Sequence, residues 1–128
     1  MRIEHLALNA ANPAELTGWL CDHLGMRVLR QFGEPPNAFF VADSEGHTVL
    51  EIYNNPDGPI PDYASMHPAT LHLAFVTDDV AGTLERLLAA GAAPETDVTT
   101  TPGGDELAMV RAPGGLAIQL MKRAAPFI

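Results

Sequence analysis

Cysteine is nearly missing from the sequence: Cys21 stands alone and cannot close an internal disulfide. It sits beside Leu20 and Leu24 in a helical apolar pattern, so it is expected in the core. Basic residues are scarce, seven Lys and Arg against sixteen Asp and Glu, and the formal charge of −9 repels phosphate backbones, whose protein contacts are largely basic. Nucleic acid is therefore not an expected partner. No apolar run approaches the roughly 20 residues of a membrane-spanning helix, so no membrane partner is expected either. The opening MRIEHLALNA alternates polar and apolar residues instead of placing a basic patch before an apolar block. It does not read as a signal peptide, and a cytoplasmic location is expected.

What is present is an ordinary globular composition, 47% hydrophobic over 128 residues, enough for a single domain with one core. Ile3 to Asn9 alternates with the period of two of a strand. Asn12 then caps a helix that begins at Pro13, carries Glu15 in its first turn, shows Leu16, Trp19, Leu20 and Leu24 at helical spacing, and stops at Gly25. Three strand-like runs follow, Met26 to Gly33, Ala38 to Asp43 and Thr48 to Tyr53, divided by Pro35-Pro36-Asn37 and Ser44-Glu45-Gly46.

The second half replays this order. Leu71 to Val76 alternates, Asp78 and Asp79 offer caps, Val80, Leu84, Leu87 and Leu88 form an apolar stripe ending at Gly91, and strands are expected over 93–99, 106–111 and 116–121. The reading is an α+β fold of two βαβββ modules, spanning 2–55 and 69–123, joined by a proline-rich connection over 56–68. His72 lies 67 residues after His5, and Gln119 lies 68 after Glu51, so two unrelated landmarks share nearly one offset. That offset is the signature of an internal repeat.

These four residues also carry the chemistry. His5 and Ala7 share one strand face, His72 and Ala74 another, while the leucines alternate to the opposite faces where helices should cover them. Glu51 and Gln119 each stand between apolar neighbours in a strand. A carboxylate there is costly to bury without compensation, and a cation or an arginine such as Arg30 or Arg111 could supply it. Two imidazoles, a carboxylate and an amide oxygen suit Zn, Ni, Co, Fe or Mn better than Ca or Mg. Without a metal, Phe39, Phe40, Tyr53, Met109 and Met121 could instead line an apolar ligand pocket.

His5-Leu6-Ala7, Leu24-Gly25-Met26, Leu50-Glu51-Ile52-Tyr53-Asn54-Asn55, His72-Leu73-Ala74-Phe75 and Pro113-Gly114-Gly115 before Ile118-Gln119-Leu120 resemble the vicinal oxygen chelate superfamily. Glyoxalase I is the member nearest in motifs. The resemblance implies a cupped mixed sheet with helices on its outer face, commonly in a homodimer. It implies a divalent metal held by His5, Glu51, His72 and Gln119, and lyase or isomerase chemistry on a small substrate with adjacent oxygens. Asn9, Phe40, Tyr53, Asn55, Met109 and Arg111 are the expected substrate-binding residues. Two positions depart from glyoxalases: Gln119 replaces a glutamate that serves as ligand and base, and Asn9 replaces an arginine that binds a glutathione carboxylate. Glu51 is then the one candidate base in the set. Metal-free drug sequestration and ring-cleaving dioxygenation are the alternatives.

Overall fold

A computed structural model describes residues 1–127. The chain divides into two compact units, Met1–Pro61 and Asp62–Ile128. The first holds β1 (Leu6–Asn9), α1 (Pro13–Leu24), β2 (Arg27–Gln31), β3 (Phe39–Ala42) and β4 (Val49–Tyr53). The second holds β5 (Leu73–Val76), α2 (Val80–Ala89), β6 (Ala93–Thr100), β7 (Glu106–Arg111) and β8 (Ala117–Lys122). Each unit is thus βαβββ with one four-stranded mixed sheet, in the orders β1-β4-β3-β2 and β5-β8-β7-β6. The fold is α+β.

Local chemistry explains the elements. The Asn12 side chain accepts from the Glu15 amide, and Pro13 opens α1 where its missing N–H costs nothing. Gly25 closes the helix at φ 70°, a left-handed value that side chains disfavour. Asp79 caps α2 by accepting from the Gly82 amide at 2.9 Å. Leu16, Trp19 and Leu20 of α1 are buried, as are Val41, Leu50 and Ile52 of the first sheet. In the second unit Val80 and Leu87 of α2 are buried with Val110, Ile118 and Leu120. This apolar burial on one sheet face is the main stabilising term of each unit.

Several expectations change, among them the fifth strand, which starts at Leu73 rather than Leu71. The first strand starts at Leu6 rather than Ile3, because its parallel pairing begins at Leu6 with Leu50 and β4 itself begins at Val49. By the same register Ile3 and Glu4 would lie beyond the start of β4. Accordingly Ile3 is exposed, and Leu6, expected beneath the helix, is 48% exposed while Leu8 is buried. Cys21, expected in the core, is only half-buried, since it follows Leu20 just past the centre of the apolar stripe.

Candidate functional site

In the first unit the parallel register sets Ala7 beside Glu51. Neighbours across a ladder share a face, as do residues two apart along a strand, so His5 and Glu51 point the same way. Their side chains meet, with His5 Nε2 3.2 Å from Glu51 Oε2. His5 Nδ1 lies against the Glu4 carboxylate. The hydrogen bond with Glu4 pushes the His5 pKa above its ordinary value, with Glu51 adding to the effect and desolvation opposing it. His5 and Glu51 side chains are 33% and 19% exposed, so the pair is open to a ligand.

Phe40 stands across from Glu51 on β3. Its ring meets the His5 imidazole edge to face at 5.5 Å and the Phe32 ring at 6.1 Å. Arg30 stands across from Phe40 on β2. One row across the sheet therefore reads Arg30, Phe40, Glu51, Ala7. The sequence suggests Arg30 only as an ion-pair partner for Glu51, but the register separates them by a full strand, and Phe32 has no sequence signal beyond its alternation with Arg30.

The second unit repeats the arrangement with different chemistry. Ala74 lies beside Gln119 and His72 is two residues upstream of Ala74, so the histidine and amide occupy the places held by His5 and Glu51. His72 Nδ1 is 2.8 Å from the Pro68 carbonyl oxygen. A carbonyl only accepts, so Nδ1 is the donor of this bond and Nε2 is the ring nitrogen left for another partner. The matching row is Thr96, Met109, Gln119, Ala74, without charge, and Met109 is buried. Among the described residues, no group of three or more His, Cys, Asp or Glu side chains gathers as metal ligands would.

The other expected residues fall into two classes. Phe40 adjoins the His5–Glu51 pair, and half-buried Tyr53 lies two residues beyond Glu51. Phe39, by contrast, is buried on the opposite sheet face, because alternation turns it away from Phe40. Arg111 is engaged locally, donating to Glu95 at 2.9 Å and to the carbonyls of Tyr63 and Gly115 at 2.7 and 3.2 Å. The Arg111 hydrogen bond holds the Glu95 carboxyl below its ordinary pKa. Met121, also proposed as a pocket residue, is buried at the end of β8.

Asn9 and Asn55 hold each other. Asn9 Oδ1 accepts from the Asn55 amide at 2.8 Å, and Asn9 Nδ2 faces the carbonyls of Asn55, Gly58 and Pro59 at 3.0, 3.1 and 3.2 Å. The side chain thus clamps the segment leaving β4 onto the end of β1. Asn9→Ala should cost about 2 kcal/mol in urea unfolding, from two or three lost bonds. Asn9→Asp should cost more, because it sets a carboxylate oxygen against three carbonyl oxygens. An aspartate variant as stable as wild type would show that the clamp contributes nothing.

Similar folds recur in solved structures. Glyoxalase I from Zea mays superposes with a TM-score of 0.75 at 20% identity over 97% of this chain, which spans only 45% of the maize protein. TnmS3, an antibiotic binding protein from Streptomyces sp. CB03234, gives 0.69 at 22% identity, covering 97% of this chain and 99% of that one. A glyoxalase family protein from Enterococcus faecalis gives 0.68 at 26% identity, covering 94% and 96%. No curated protein matches the chain. A sequence profile matches residues 2–120, nearly the whole βαβββ pair, and the chain belongs to the Glyoxalase/Bleomycin resistance protein/Dioxygenase superfamily.

Proposed function

We propose that the protein is a divalent-metal-dependent enzyme acting on a small substrate with adjacent oxygens, by lyase or isomerase chemistry of the glyoxalase type. One observation carries this reading: both histidines, each one residue ahead of its strand, have Nδ1 against an oxygen acceptor, Glu4 for His5 and the Pro68 carbonyl for His72. In the neutral imidazole that contact favours the tautomer with its lone pair on Nε2, where a metal can bind, the usual outer-shell support of a ligating imidazole. His5 Nε2 in addition points at a carboxylate oxygen. Two electron-rich atoms facing each other call for a positive charge between them, a proton or a metal ion.

The donor set fits Zn, Ni, Co, Mn or Fe. His5 and Glu51 would be the ligands of the first unit, His72 and Gln119 the matching donors of the second. A bound ion supplies Lewis acidity to two neighbouring substrate oxygens. Glu51 is the base that moves a proton beside a carbonyl, because Gln119 has no basic oxygen to offer. Phe40 shields one side of this pair from water. We further propose a cytoplasmic homodimer, whose two-chain mass sedimentation velocity would check.

Metal analysis tests the proposal. Protein purified without chelator should carry a transition metal or gain thermal stability on adding Ni, Co, Zn or Mn, and His5→Ala should lose both. Equal and negligible metal content in wild type and variant, with no stabilisation of either, would overturn it. A second reading, a metal-free binder of apolar molecules, is favoured by the exposed Phe32 ring against Phe40 and by the antibiotic-binding description of TnmS3. Stabilisation by hydrophobic compounds in EDTA, without any metal response, is its expected signature.

A further inference from the structure

The row that crosses the first sheet ends in a charge that the His5–Glu51 pair does not use. Arg30 lies opposite Phe40, and Phe40 opposite Glu51. Phe32, two residues after Arg30 on the same side of the strand, touches the Phe40 ring, so Arg30 belongs to the face that carries Phe40, Glu51 and His5. Strands are spaced ~4.8 Å apart, which puts the Arg30 and Glu51 backbone positions about 10 Å from each other.

Arg30 is exposed and has no ion-pair partner among the described residues, whereas Arg111 and Arg123 pair with Glu95 and Asp105. In a chain of net charge −9 with seven basic residues, an unpaired arginine in the same row as an aromatic shelf stands out. The shelf itself is accessible, since Phe32 is 48% exposed. The corresponding row in the second unit, Thr96, Met109, Gln119 and Ala74, has neither a cation nor an aromatic ring. Ligand discrimination by charge therefore falls to the first unit.

We propose that the Arg30–Phe40–Glu51 row selects a planar aromatic compound bearing a carboxylate, its ring against Phe40 and Phe32, its carboxylate on the Arg30 guanidinium, and its far oxygen substituent at His5 and Glu51. The assignment rests on the reading of His5–Glu51 as the reacting end, and it adds the substrate class and a specificity residue. A guanidinium pairs two parallel N–H groups with a carboxylate, which gives both strength and orientation. A ring of that length spans the row because its apolar body covers the one uncharged stretch between the two polar ends.

Fluorescence titration with 6-hydroxy-2-naphthoate and its neutral counterpart 6-hydroxy-2-naphthamide separates the contributions. Wild type should bind the naphthoate roughly tenfold more tightly, equivalent to about 1.4 kcal/mol. Arg30→Gln should weaken the naphthoate to the level of the naphthamide and leave the naphthamide unchanged, Arg30→Lys should keep part of the preference, and Phe40→Ala should weaken both. Absence of a preference in wild type, a preference surviving in Arg30→Gln, or binding of neither probe would overturn the assignment. Nickel titration of the same preparations reads the His5–Glu51 end separately. Nickel binding without anion preference sinks the aromatic carboxylate alone, and an anion preference without nickel binding sinks the metal alone.

Discussion

Gly115→Ala is expected to destabilise the protein by roughly 4 kcal/mol, the sum of a left-handed backbone penalty and overpacking. Gly115 has φ +94°, and a Cβ there would come within 2.5 and 2.6 Å of the Ala64 backbone nitrogen and Cα. Backbone atoms cannot rotate away as a flexible side chain would. The turn also has little room to shift, because the Gly115 amide donates to the Ala112 carbonyl at 2.8 Å. Arg111 further ties the Gly115 and Tyr63 carbonyls together. Gly114 is the internal control: its φ is +85°, but its Cβ would meet open space. Gly114→Ala should therefore cost only the backbone penalty, about 1–2 kcal/mol. Urea unfolding of both variants decides the matter, and equal losses at the two positions would show that the contact with Ala64 is not what constrains the turn.

The order of elements was legible because each signal was local. Asn12-Pro13 with Glu15, the Leu16-Trp19-Leu20 stripe and Gly25 together define α1 without help from the rest of the chain, and Asp79 and Val80 do the same for α2. Strand ends were less legible because they depend on partners. Whether Ile3 is in a strand is decided by where β4 begins, 46 residues away at Val49. The role of Pro113-Gly114-Gly115 was visible as a turn, yet the close approach of Ala64 was not, since nothing in the sequence near 115 refers to residue 64.

The site shows the same division. That His5 and Glu51 share a face follows from alternation once their strands are neighbours, and the repeat offset pointed to them together. Arg30 and Phe32 were not singled out as ligand residues, because the pairing of β2 with β3 contains a register shift between Val28 and Arg30. A bulge of this kind reverses which residues face the ligand side, and no composition rule announces it. Asn9 and Arg111 had side chains suited to a substrate, but the former is taken by the backbone around Asn55 and the latter by the turn at Gly115. A polar residue beside a site can serve the fold rather than the ligand, and its bonds tell which.

The asymmetry of Glu51 and Gln119 yields the other large expected effect. Glu51→Gln should lower transition-metal affinity by about 100-fold or more, since removing even an outer-shell partner of a metal ligand costs up to that much. Shape is preserved, and the Glu51 contact with His5 is between partly exposed groups, so the fold should survive and the loss can be read as a loss of ligand charge. Gln119 occupies the register position in the second unit that Glu51 occupies in the first, each beside the alanine two residues after a histidine. The double variant Glu51→Gln with Gln119→Glu moves the carboxylate to that position while keeping the net charge and the donor count. If the two positions are equivalent donors, isothermal titration with nickel should show most of the lost affinity restored in the double variant. Restoration would mean that affinity depends on the number of carboxylates rather than on which unit supplies one. A Glu51→Gln protein that binds nickel as wild type does would remove Glu51 from the ligand set and leave the metal reading without its charge.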